Sequence, residues 1–163
     1  LKPIITIINT DETNYPKYKD LNGKRDGSRL TLVFCGQIES ELMELDPEER
    51  EIFKDEYGLS DYEYIKSQFI RASYDLMGLI SFFTVGEDET KAWTIEKDSS
   101  AYIAAGKIHS DIQQGFIRAE IINWSDFLNA GGFSTAKEKG VLRLEGKEYI
   151  VKDGEIAHFR FNK

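Results

Sequence analysis

This chain of 163 residues contains one cysteine, two histidines and three prolines. None of its apolar runs approaches the length of about 20 residues that a membrane-spanning helix needs. A lone cysteine, Cys35, excludes a disulfide within the chain, and with two isolated histidines it gives no zinc-type spacing, so no metal site is expected. No series of charged, apolar and small residues at the N-terminus reads as a signal peptide. The expected setting is cytoplasmic, without a membrane partner. The pattern GxxxxGK(S/T) is also missing, and with it a backbone cradle for phosphates, a lysine for the β- and γ-phosphates and a hydroxyl for magnesium. There is no internal repeat and no low-complexity tract.

The chain has a formal net charge of -8. Residues 1–79 hold 10 Lys/Arg against 16 Asp/Glu, and residues 80–163 hold 11 against 13. A chain with this balance does not coat nucleic acid everywhere. Any RNA contact has to use a local basic patch in the second half. No feature points to DNA in particular.

In the first half, Leu1 to Asn9 is a continuous apolar, β-branched run of the kind that forms a buried parallel strand, and Leu30 to Cys35 repeats it. Tyr18 to Arg29, between them, reads as a crossover containing a ragged, solvent-exposed helix. Asp46-Pro47-Glu48-Glu49 predicts a helix start: an N-cap, a proline at the first position and a capping-box glutamate. Gly58 is placed to end that helix. Its inner face is expected to be Ile52, Phe53 and Tyr57. A further helix is expected from Ser60, carrying Tyr62, Ile65, Phe69, Ala72, Leu76 and Leu79 at gaps of three and four. Two strands cannot make a complete doubly wound sheet.

From about Leu79 the texture changes to short strands: Ile80 to Val85, Ala92 to Glu96, Ile117 to Ile122, Val141 to Leu144, Glu148 to Val151 and Ile156 to Phe161. Asp153-Gly154 predicts a type I′ hairpin between the last two. One helix, from Ser99 or Ser100 to about His109, interrupts them with an apolar face of Ala101, Ala104, Ala105 and Ile108. A strand pair, a helix and further strands is the order of a β-grasp fold.

Four blocks in series, KAWTI (Lys91 to Ile95), AAGKIHSD (Ala104 to Asp111), GFIRAEI (Gly115 to Ile121) and EGKEYIVKDGEIAHFRFN (Glu145 to Asn162), resemble the TGS-type C-terminal domain of the YchF family, the Obg-like P-loop ATPases/GTPases. The resemblance covers essentially the whole chain. It implies a fold of two parts: an α/β remnant of a P-loop GTPase-like domain over 1–79, without its P-loop, and an α+β β-grasp (ubiquitin-like) TGS domain over 80–163. On this reading the chain starts in the middle of a longer protein.

Within that frame, Asn9-Thr10-Asp11-Glu12 follows the first strand, where P-loop GTPases carry the base-reading NKxD motif. The aspartate of that motif accepts two hydrogen bonds from guanine, and adenine offers neither donor. With Thr10 for the lysine and Glu12 for the aspartate, the segment is the NxxE variant of YchF-type proteins, which implies ATP binding at least as good as GTP binding. Phe34 to Glu39, with Cys35, Gly36 and Gln37, falls where the fifth GTPase motif lines the base, and Gly36 lets the backbone approach closely. By themselves Asn9 to Glu12 also read as a polar strand-end turn or helix cap, and Cys35 as a packing residue rather than a nucleophile. The resemblance implies ATP or GTP with magnesium as cofactors of the longer parent. Base contacts alone hold nucleotide weakly, so none is expected to stay tightly bound to this chain, and no triphosphatase activity is expected of it alone.

In related TGS domains a helix ending in an IHTD-like sequence faces the tRNA acceptor end. Here that sequence is Ile108-His109-Ser110-Asp111, which makes Lys107, His109 and Arg118 candidate RNA contacts. A helix-capping role for His109, with Asp111 as its partner, fits the sequence equally well. His158 and Arg160 alternate with Ala157, Phe159 and Phe161 on the last strand. With Arg143 on a neighbouring strand they form a candidate basic sheet face, although an edge strand guarded by charge reads alike. Trp93 reads as core rather than as a stacking platform.

The function expected from the resemblance is the C-terminal part of a ribosome-associated, nucleotide-dependent ATPase/GTPase that contacts ribosome or RNA. The alternative is a TGS half that serves as a protein-interaction or intramolecular clamp module. No nucleophile and base occur at telling spacing, and Asp46, Glu48 and Glu49 are explained as cap and solvated face, so no catalytic residue is assigned.

Overall fold

The computed structural model describes every residue except Leu1, Gly58, Ser60, Asp61, Glu87 and Lys163. The chain forms two compact units, Leu1–Met77 and Gly78–Lys163.

In the first unit, strands β1 (Ile4–Asn9) and β3 (Arg29–Phe34) run parallel with Ile5 opposite Leu30, and the short β2 (Arg25–Asp26) pairs antiparallel to β3. The order β1-β3-β2 places β3 in the centre, which buries Leu30, Leu32 and Val33. The edge strand β1 does not match the expectation of a fully buried run, because Ile4 and Ile7 remain 47% and 44% exposed. Nor is Tyr18 to Arg29 a helix. A four-residue helix α1 (Tyr15–Tyr18) and a 3-10 turn (Lys19–Leu21) lead into the β2–β3 hairpin. Gly23 (φ 76°) and Gly27 (φ 57°) take the left-handed conformation that a right-handed helix excludes.

Helix α2 (Gly36–Glu44) was not expected, since its first residues read as a base-lining loop. Ile38 and Leu42 form its buried side. Helix α3 (Pro47–Glu56) starts as the sequence predicts: Asp46 accepts from the amides of Glu48 and Glu49 at 2.9 Å each, and Glu49 reaches back to the Asp46 amide. Its expected inner face is corrected, because only Phe53 joins the core, while Ile52 is exposed and Tyr57, also largely exposed, stacks on Phe53 with ring centroids 4.4 Å apart. The expected stop at Gly58 and start at Ser60 lie outside the described residues. Helix α4 spans Ile65–Met77, so Tyr62 precedes it and Leu79 follows it. Its contact stripe on Leu30 and Leu32 is narrow, made by Ile65, Ala72 and Leu76, and Phe69 is exposed.

The second unit is one five-stranded sheet of β4 (Leu79–Val85), β5 (Thr90–Glu96), β6 (Phe116–Asn123), β7 (Arg143–Glu145) and β8 (Glu155–Phe161). The order is β5-β4-β8-β6-β7, with β4 parallel to β8 and every other pair antiparallel. Helix α5 (Ala101–Ile108) covers one face: Ala101, Ala104 and Ala105 are fully buried, and their small size lets the helix lie close to Phe82, Ala119, Ile121 and Phe159. The short α6 (Ser110–Gln114) follows it. At Gly115 the chain passes so near the last strand that a Cβ there would collide with the Asn162 carbonyl.

Three expectations fail here. Instead of one helix there are also α6, α7 (Trp124–Ala130) and α8 (Phe133–Glu138), and the last two pack on the other sheet face over Ile122 and Ile156. Short helices of this kind carry too little periodicity to be read, although the Asn123 cap and Gly131 (φ 84°) mark the ends of α7. Glu148 to Val151 is not a strand, and its amides and carbonyls serve the start of α5, where Ala101 N–H donates to Tyr149 and Val151 N–H to Ser99. Asp153-Gly154 is a turn but not a hairpin, because β8 already has β4 and β6 on its two sides.

Candidate functional site

Two groups of polar side chains stand where the sequence places chemistry, one in each unit. In the first, β1 ends at Asn9 and β3 delivers Cys35 to the start of α2. The Asn9 Oδ1 accepts from the Gly36 amide at 3.1 Å, and a Cβ on Gly36 would lie 3.4 Å from that oxygen. This bond fixes the amide orientation and leaves the two N–H donors of Nδ2 without a partner among the described residues. Thr10 donates its amide to Phe34 and its hydroxyl to the Asp11 carbonyl. Asp11 is committed internally: its carboxylate takes the Asn14 amide and both oxygens bond Asn14 Nδ2, which holds its carboxyl below the usual range.

Glu12 and Gln37 face one pocket of about 380 Å³, lined further by Tyr15, Pro16, Glu41 and Tyr57. Cys35 is wholly buried, and its backbone amide and carbonyl both bond the Tyr62 hydroxyl, at 3.3 and 3.4 Å. Glu39 accepts from that hydroxyl at 3.2 Å and from the Ile65 amide at 2.6 Å. Burial, followed by the neighbouring Glu39 charge, pushes the Tyr62 phenol well up. The sequence-picked Asn9, Thr10 and Gly36 thus share one corner, and Glu12 and Gln37 another. Asp11 is taken up in a local turn, and the Cys35 side chain packs. Tyr62 and Glu39, which pin the Cys35 loop, were missed as site residues; the glutamate five residues after the buried strand β3 was the available signal.

In the second unit the polar residues separate by sheet face. Arg118 pairs across the strands with Arg160, and Glu120 with His158. A bulge between Phe116 and Arg118 reverses the alternation, so Phe116 enters the core while Arg118 points outward. Glu120 is buried, 6% exposed, and bonds Arg160 and, at 2.8 Å, His158 Nδ1. Burial opposes its ionisation, but the hydrogen bonds and charges of His158 and Arg160 prevail and hold the carboxyl below the usual value of 4.5. Phe133 of α8 stands against His158, with ring centroids 5.8 Å apart. Arg118 has no polar partner among the described residues.

Arg143 does not share that face. It lies opposite Ile121, on the core side, where its guanidinium meets the buried Glu155 at 2.5 Å and the Tyr149 hydroxyl at 3.1 Å. Burial and then the Glu155 hydrogen bond push the Tyr149 phenol up to about 12. A single basic face holding Arg143, His158 and Arg160 is therefore corrected: each arginine answers a buried glutamate on its own side. His109 ends α5 and caps α6, with Nδ1 accepting from the Asp111 amide at 3.1 Å and its own amide donating to Ala105. Lys107 borders a separate hollow with Leu79, Thr94, Glu96 and Ile103. No bond links Lys107, His109 and Arg118 among the described residues. Trp93 packs on the core and donates to Thr84 at 2.9 Å.

The family model named YchF-GTPase_C, described as "Protein of unknown function (DUF933)", matches residues 79–162. The "Ribosome-binding ATPase YchF" of Bacillus subtilis (strain 168) is 43% identical, covering 99% of this chain and 45% of the relative. The "Obg-like ATPase 1" of Gallus gallus is 37% identical, covering 99% and 42%. The chain thus spans a little under half the length of the curated relatives it matches. Among solved structures, that of the Schizosaccharomyces pombe YchF GTPase superposes with a TM-score of 0.75 at 27% identity, covering 97% of this chain and 43% of that one. A GTP binding protein from Pyrococcus horikoshii OT3, 19% identical with a TM-score of 0.58, shares the fold.

Proposed function

The chain belongs to the YchF family, and from that premise we propose that it supplies the base-reading end of a nucleotide-binding domain together with a TGS domain that contacts ribosome or RNA. The observation that carries the first half is the Asn9 amide locked by Gly36 at the end of a parallel strand. Its free Nδ2 donors suit the N7 acceptor that both purines present. Glu12, one methylene longer, stands in place of the aspartate that pairs with guanine, which supports ATP binding at least as good as GTP binding. A nucleotide held here would depend on phosphate and magnesium contacts for most of its affinity, and this chain contains no GxxxxGK(S/T) to make them. We therefore assign binding of the base, and no hydrolysis, to these 163 residues.

For the second half, the strand order β5-β4-β8-β6-β7 with α5 across one face is the arrangement of a β-grasp domain, and it supports the TGS reading. Several relatives are named ribosome-binding ATPases. A cytoplasmic, ribosome-associated role for this chain follows from that kinship. The observation that favours RNA contact over a purely protein-interaction or clamp role is the outward pair Arg118 and Arg160, of which Arg118 meets no carboxylate among the described residues.

Two measurements test these proposals. Titration of the ¹⁵N-labelled chain with adenosine should move the amides of Thr10, Gly36 and Gln37 at least as strongly as guanosine does, and a strong guanosine preference would sink the adenine assignment. Co-sedimentation with ribosomes across a salt series should show binding that weakens with salt. Binding that ignores salt favours the protein-interaction role.

A further inference from the structure

On the sheet face that also carries α7 and α8, between strands β4, β6 and β8 and helix α8, there is a pocket of about 410 Å³. Val85, Phe133 and Leu142 give it apolar walls, and Ser134, Lys137, His158 and Glu120 bring polar atoms to it. Both Glu120 oxygens are engaged, one by Arg160 and one by His158. His158 meets Glu120 through Nδ1, which leaves the Nε2 edge of the ring without a partner among the described residues. The pocket therefore offers an aromatic surface, an imidazole edge, a hydroxyl and an ammonium group. Arg160 neighbours His158 on the same face, and Arg118 stands opposite Arg160, aimed outward by the β6 bulge. Two guanidiniums directly opposite one another repel. Among the described residues only Arg160 is answered by a carboxylate, so the arrangement is complete when an anion joins them.

We propose that this pocket receives one unstacked base of single-stranded RNA, with the adjoining phosphates on Arg118 and Arg160. The proposal rests on the RNA-contact reading above and gives it a site and a substrate class. An aromatic wall with edge-reading polar groups beside paired arginines is the combination that suits a splayed-out base; a duplex, whose bases stay stacked, cannot enter. It also separates this face from Lys107 and His109, which the pocket does not include.

The test uses the intact chain and three labelled probes of equal length: a single-stranded RNA octamer, the same octamer with abasic positions, and a blunt RNA duplex. The octamer should bind about tenfold more tightly than the abasic strand and the duplex. Ser134→Trp, at an exposed helix position on the pocket rim, should remove most of that difference while leaving the abasic strand unaffected. Arg118→Gln should weaken both single strands alike and lower the logarithmic salt slope by about 0.7. If octamer and abasic strand bind equally in the parent chain, the base pocket is wrong while RNA contact stands. If no probe binds, the RNA reading fails and the pocket proposal fails with it. The comparison between probes on the parent chain decides the matter even if a variant does not fold.

Discussion

The two units bury their apolar surface in different ways. The second has a central cluster of twelve buried residues between α5 and a five-stranded sheet, with further packing under α7 and α8. The first divides its core into two smaller clusters, one around Cys35, Ile38, Leu42 and Tyr62 and one around Leu30, Leu32 and Ala72. Its edge strand leaves two isoleucines open. Polar groups show the same contrast. In the second unit two buried glutamates each meet an arginine, whereas in the first a tyrosine hydroxyl and a glutamate hold a loop in place. Apolar burial thus sets the second unit's stability, and hydrogen bonding sets the shape of the first.

The largest effect that can break this comparison lies in the sheet. Phe82 is fully buried at the centre of the second core and meets Phe159 edge-on with centroids 6.2 Å apart. Phe82→Ala should cost about 3–5 kcal/mol. Amide exchange should then show protection lost across Gly78–Lys163. Equal loss over Leu1–Met77 would mean that the two units do not differ in the way argued.

Next in size is the loop of the first unit. Tyr62→Phe removes the hydroxyl that satisfies the Cys35 amide, and a buried donor left unpaired costs about 1–3 kcal/mol. The urea midpoint of the first unit should fall while Phe82 and its neighbours keep their exchange protection. An unchanged midpoint would show that packing rather than the hydroxyl holds the loop.

The parts that were legible in the sequence share a physical cause: their signal is local. The Asp46 cap, the alanine face of α5 and the alternation of β8 each depend on residues a few positions apart, and each stands as read. The parts that were misread depend on partners far along the chain. Ile150 reads as strand, but its segment pairs with Ser99 and the start of α5 because β8 is enclosed by β4 and β6. Arg143 reads as a neighbour of His158 until strand register sends it to the other face. A single bulged residue, Ile117, decides where Arg118 points, and no composition rule marks it. In the candidate nucleotide corner the residue types were visible, but the internal use of Asp11 by Asn14 depends on the turn that the folded chain makes there. Glu120 within an apolar strand was the one long-range clue available, since a buried carboxylate demands a cationic partner.

A smaller effect sharpens the contrast within the first unit. Asp46→Ala removes a side chain that accepts two amide hydrogen bonds at the start of α3, and losing such a cap costs about 1 kcal/mol. The urea midpoint of the first unit should fall by less than in Tyr62→Phe. A larger fall would place the unit's weakest point at α3 rather than at the Cys35 loop.

The smallest expected effect concerns acid. The Glu120 carboxyl is held below its ordinary value of 4.5 by His158 and Arg160 against the opposing effect of burial. A carboxylate whose pKa is lower folded than unfolded adds stability above the unfolded value, and that stability disappears as pH falls through the folded one. The second unit should therefore keep this contribution at neutral pH and lose it progressively below about pH 4.5. Because His158 and Arg160 are themselves about half exposed, solvent screens the pairing and the contribution should amount to a few tenths to about 1 kcal/mol. Glu120→Gln should lower the thermal midpoint slightly at pH 7 and flatten the acid limb of the stability curve. The first unit should be unaffected. If the variant and parent show parallel acid limbs, the buried pair makes no net contribution, and the Glu120 side chain serves only to orient His158 and Arg160.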